Sequence, residues 1–125
     1  MKFKPTEPPR LFSVGRHAAI QIKDCGKMEL EPDEQITFTT PSGTEYDVAR
    51  KSWGYYATPS LNGRLPNFHL RAVLARSDSG RAYIFLVEKG KEPDFEAYLR
   101  IEKLHVLSWL DKDSDLDRLK EIAGR

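Results

Sequence analysis

Two apolar runs, residues 70–75 and 82–87, flank Ser77-Asp78-Ser79-Gly80. No other feature of this chain constrains its fold so tightly. Each run has the length of a strand, and the Ser/Asp/Gly cluster between them is turn chemistry, so the spacing predicts a β-hairpin. The second run is apolar at nearly every position, which predicts a central strand covered on both faces.

Period-two alternation extends the same reading upstream. Ala18, Ile20 and Ile22 share one parity, and His17, Gln21 and Lys23 share the other. Asp24-Cys25-Gly26 supplies a turn and Met28 and Leu30 a return strand, which predicts a hairpin over 16–30. Ile36 and Phe38 alternate with Thr37 and Thr39, Pro41-Ser42-Gly43 turns the chain, and Tyr46 and Val48 continue it. That predicts a second hairpin, 35–40 with 44–50, whose second strand Trp53 and Tyr55 extend after a break at Gly54.

The C-terminal third changes period. Glu92-Pro93-Asp94 opens a helix, since proline is tolerated in a first turn and acids suit the positive end of the helix dipole. Phe95, Tyr98 and Leu99 form its buried stripe. Residues 106–110 form a short strand, and Ser114 caps a last helix whose apolar face is Leu116, Leu119, Ile122 and Ala123. The order strand, helix, strand is a candidate βαβ unit. The expected class is α+β: an antiparallel sheet built from about three β-hairpins, with two C-terminal helices covering one face and one short strand between them. Residues 1–10, with three prolines, are expected to be a flexible tail, and 11–125 a single globular domain.

Composition bounds the function classes. Hydrophobic residues at 39% and charged residues at 31% in a 125-residue chain describe a globular domain with a core of its own. No run reaches the length of a membrane-spanning helix, and MKFKPTEPPR has no apolar signal segment, so the chain is expected to be cytoplasmic and away from membranes. The single cysteine, Cys25, excludes an intrachain disulfide. Net charge is +1 overall, but residues 51–90 carry +4 while the flanks carry −1 and −2.

No GxGxxG, GxxxxGK[ST], HExxH, CxxC or GxSxG occurs. Cys25 reads as a small turn residue, and His17, His69 and His105 lack ligand spacing. The acidic run DKDSDLD at 111–117 lacks the glycine and terminal glutamate of an EF-hand loop and reads as helix capping. No metal and no cofactor are expected.

The basic segment coincides with an aromatic cluster, SWGYYATPSLNGRLPNFHLR, residues 52–71. Trp53, Tyr55 and Tyr56 offer flat faces with polar tips, Arg64 and Arg71 can fork onto phosphate or carboxylate, and Asn62 adds directional bonds. These six are the candidate ligand-binding residues, with Trp53, Tyr56 and Arg64 expected to converge. The same stretch also reads as an irregular crossover in which Trp53 and Phe68 plug the core and Asn62-Gly63 is an ordinary turn. The expected function is a small non-catalytic binding or accessory domain that recognises an anionic, ring-containing ligand: a sugar phosphate, nucleotide or nucleotide sugar. The alternatives are a protein-interaction or homo-oligomeric module, pairing through an exposed strand at 36–40, and a small enzyme of unidentified reaction with Asp47 or His69 as first suspects. Near-neutral charge disfavours nucleic acid as partner.

Overall fold

A computed structural model of the chain describes residues 1–124. The class is the expected α+β, with three antiparallel sheets and three helices rather than one continuous sheet. The strands are β1 (Lys2–Val14), β2 (Ile20–Glu29), β3 (Gln35–Thr39), β4 (Glu45–Lys51), β5 (Gly54–Ala57), β6 (Leu70–Ser77), β7 (Ala82–Glu88) and β8 (Leu104–Trp109). The helices are α1 (Arg64–Asn67), α2 (Glu92–Glu102) and α3 (Asp113–Ala123). Two compact units form: Met1–Ile36 with Val48–Ala57, and Thr37–Asp47 with the described residues from Thr58 onward.

In the first unit β1 and β2 pair antiparallel, from Lys2 opposite Glu29 to Val14 opposite Ile20. Residues 2–10, expected as a tail, therefore lie in a strand. The reversal falls at 15–19, and Cys25 and Gly26 lie within β2, not in a turn. Proline conceals this strand from sequence reading. Pro5 stands opposite Gly26 and Arg10 opposite Asp24, so four residues of β1 bulge against Cys25 alone. A bulge accommodates Pro8 and Pro9, which have no N–H to give a ladder. Gly26 has φ +152°, and a Cβ there would come within 2.5 Å of the Lys4 carbonyl oxygen and 2.8 Å of the Phe3 ring. The pairing of β1 on β2 depends on glycine at that position.

The middle sheet has the order β3-β4-β5, and both β3 and β4 run from one unit into the other. Gly54 does not interrupt an extended second strand. The chain reverses at Ser52-Trp53, and Gly54, at φ +146°, opens β5, which returns along β4 with Arg50 opposite Tyr55 and Ala49 opposite Tyr56.

The second unit holds the predicted 70–88 hairpin. Its sheet order is β7-β6-β8, so β6 is central and the more apolar β7 is an edge. Ala72, Val73 and Ala75 of β6 are buried, whereas Ala82, Tyr83 and Ile84 of β7 are exposed. Small side chains let neighbours close over β6, and the Arg71 side chain is largely covered, paired with Asp111 and Glu92. β7 and β8 both run antiparallel to β6, which lies between them, so they are parallel but not neighbours.

Helix α2 covers one face of this sheet with a ring cluster. Phe85 lies 5.4 Å from Phe95 and 5.9 Å from Tyr98, and Phe95 lies 6.1 Å from Trp109, all edge to face. Leu65 of α1 packs with Leu70 and Ala72, joined by Tyr46, Leu86 and Leu110. Helix α3 departs from expectation: none of its residues is buried, and Lys112, not Ser114, is its N-cap, with no side-chain cap bond.

Candidate functional site

Three of the six candidate residues fall in the first unit. Trp53 occupies the tip of the β4–β5 hairpin, and Tyr55 and Tyr56 follow it in β5. They are 70%, 69% and 51% exposed. Successive residues of a strand point to opposite faces, so Tyr55 and Tyr56 present rings on the two sides of this hairpin. Neither Trp53 nor Tyr56 is a core plug; Leu65, 1% exposed, fills that role within the crossover.

Asn62, Arg64 and Arg71 belong to the second unit, and each holds a carboxylate of that unit. Asn62 Nδ2 donates to Asp113 at 2.9 Å. Arg64 follows a turn in which Ser60 Oγ accepts its backbone N–H, and a Cβ on Gly63 would meet that same oxygen. Its Nε donates to Asp47 at 3.3 Å, and its guanidinium lies 4.7 Å above the Phe68 ring. Arg71 is the most enclosed: Nε and Nη2 fork onto the two Asp111 oxygens at 2.7 and 3.3 Å, and Nη1 reaches Glu92 at 3.2 Å. Trp109 stacks 4.0 Å beneath it. The planar fork suited to a ligand carboxylate or phosphate is filled from within.

These pairs fix the charge states. The Thr37 hydroxyl, donating at 2.5 Å, and the Arg64 guanidinium hold the Asp47 carboxyl below its usual range against the opposing effect of burial. Burial pushes Asp111 up, but hydrogen bonds from Arg71 prevail and its pKa is lowered. Arg71 is raised, first by the Asp111 hydrogen bond. Asp47 is thus a fully bonded structural carboxylate. His69 is an exposed residue in the left-handed region at φ +66°, joining α1 to β6. The acidic run at 111–117 binds side chains: Asp111 takes Arg71, Asp113 takes Asn62 and Asp115 takes Arg118. Among the described residues no group of three or more His, Cys, Asp or Glu could hold a metal ion. Among them, too, no helix is long and apolar enough to cross a membrane.

A hollow opens on each unit. One, of about 640 Å³ in the second unit, lies between α2 and β8 and includes the His105–Asp78 pair at 2.7 Å. The other, of about 400 Å³ in the first unit, is lined by Lys4, Lys27, Met28, Glu29, Leu30, Arg50 and Tyr55. Only Tyr55 of the six candidates lines either. Lys4 and Lys27 escape sequence reading because one sits in a proline-rich segment and the other beside an apparent turn; the signal that could have found them is the Phe3/Met28 parity shared across the two runs. No family model, curated protein or solved structure matches the chain.

Proposed function

We propose that this chain is a small binding domain whose contact element is the β4–β5 hairpin, and that its ligand is anionic and ring-bearing. The exposure of Trp53, Tyr55 and Tyr56 carries this reading. Three aromatic side chains within four residues stand more than half in solvent, a concentration of exposed ring surface of the kind that marks binding sites. Arg50, directly opposite Tyr55 in the β4–β5 ladder and without an ion-pair partner among the described residues, favours an anion. Titrating the labelled chain with nucleotides and sugar phosphates tests it. The Trp53 indole N–H and the Tyr56 amide should shift; silence throughout residues 52–71 at millimolar ligand would sink the proposal.

Unburied apolar side chains favour a second reading, a protein-interaction or homo-oligomeric module. In the second unit Ile84 is 61% exposed, and Leu119 and Ile122 of α3 keep their apolar stripe in solvent. Light scattering over rising concentration decides the self-association version, since a constant monomer mass counts against it.

A further inference from the structure

The hollow in the first unit brings together three cationic side chains, Lys4, Lys27 and Arg50, against a single carboxylate, Glu29. Lys4 and Lys27 are directly opposite one another in the β1–β2 ladder, so both side chains rise from the same face. Like charges at directly opposed positions weaken a sheet. Among the described residues neither lysine has an ion-pair partner. The register that creates this opposition is held by Gly26, whose missing Cβ admits the Phe3 ring and the Lys4 carbonyl.

The third cation is anchored. Arg50 gives one Nη1 hydrogen to the Leu30 carbonyl at 2.6 Å, while its backbone N–H donates to Glu34 and its carbonyl accepts from Asp33. A guanidinium has five N–H donors, so others remain to face the hollow. Tyr55 pairs with Arg50 across β4 and β5, which puts the ring and the guanidinium on one face. A floor of one anchored and two unpaired cations beside an exposed ring, in about 400 Å³, matches one ligand chemistry.

We propose that this hollow binds a phosphomonoester carried on a ring. The phosphate oxygens accept from Lys4 Nζ, Lys27 Nζ and Arg50, and the ring lies against Tyr55. The dianion relieves the lysine opposition that the unliganded protein leaves standing. The inference rests on the hairpin reading above through Tyr55 alone; none of its three cations lies within residues 52–71.

Amide spectra of the full chain titrated with adenosine monophosphate, glucose phosphate, inorganic phosphate and adenosine test it. All three phosphates should shift Lys4, Lys27 and Arg50. The two ring-bearing phosphates should shift Tyr55 as well, and the stronger of them tells a base from a sugar ring. Adenosine should leave the three cationic positions unmoved. Lys27→Gln should weaken adenosine monophosphate binding on the order of tenfold, and adding Lys4→Gln a further factor of the same order. Both variants should melt at or above the parent temperature, because each removes like-charge repulsion, and a given phosphate concentration should raise the parent's melting temperature by more than theirs. Shifts confined to Trp53 and Tyr56 would overturn this site and leave the hairpin reading standing. Absence of any shift overturns both, and undiminished binding by Lys27→Gln overturns the assigned contacts.

Discussion

Asp47 is 4% exposed and carries its charge only because Thr37 and Arg64 bond it. Thr37→Val would take the hydroxyl from a buried carboxylate, at a cost of about 1–2 kcal/mol in chemical denaturation. It should also raise the Asp47 pKa in a carboxyl NMR titration. The pH dependence has a definite sign. The folded pKa lies below the usual 3.8, so between the two values the unfolded chain binds more protons. This contribution to stability is complete above about pH 4 and is lost as acid carries the protein down through the folded value. Asp111, held low by Arg71, adds to the same acid window. Asp47→Asn should flatten part of that fall and lower stability near neutral pH. At Gly26, alanine must adopt φ +152° and displace the Phe3 ring and Lys4 carbonyl; a loss of about 1–3 kcal/mol is expected by thermal denaturation. Arg71 shows the limit of residue-scale reading. In sequence it alternates with Ala72 and Leu74 like a strand position facing water, and nothing local reveals Asp111 forty residues away as its partner.

At the scale of elements the two C-terminal helices contrast. α2 buries Leu99 and applies Phe95 and Tyr98 to the sheet, while α3 buries nothing. Both helices were legible, because their 3.6-residue periodicity is local. Which stripe finds a surface is not local. Leu99→Ala should therefore cost about 2–3 kcal/mol in denaturant unfolding of the chain, whereas Leu119→Ala should stay within about 0.5 kcal/mol. A large loss at Leu119, growing with protein concentration, would show that α3 is covered by a second copy. The β1–β2 ladder departs from the predicted 16–30 hairpin by the same logic. Turn chemistry at Asp24-Cys25-Gly26 is real as a local preference, yet a partner strand that needs a positive-φ residue at Gly26 overrides it.

At the scale of the whole molecule, burial is uneven. Among the described residues Leu30 is the one buried apolar residue of the first unit, whereas Leu65, Leu70, Ala72, Val73, Ala75, Val87 and Leu99 are buried in the second. Two-stranded ladders with little beneath them are marginal by themselves. Amide exchange should accordingly be slowest at Val73 and Ala75 in β6, which is hydrogen-bonded on both sides, and faster throughout β1 and β2. Equal protection in the two would contradict this account. If the hollow in the first unit takes a phosphomonoester, saturating ligand should slow β1–β2 exchange while leaving β6 unchanged, since ligand stabilises only the part that opens with it.

The sequence by itself determined the α+β class, the hairpin around Ser77–Gly80, the positions of α2 and α3 and the location of an aromatic-rich segment. Each follows from periodicity, turn residues or composition within a span of about twenty residues. Tertiary structure alone decided that β6 and not β7 is central, that residues 2–10 join a ladder, and that Arg64 and Arg71 are occupied by carboxylates. It alone set Lys4 against Lys27 beside Arg50 and Tyr55. The reason is range: hydrogen-bond preference and side-chain period act between near neighbours, whereas burial and charge pairing depend on residues that only the folded chain brings together.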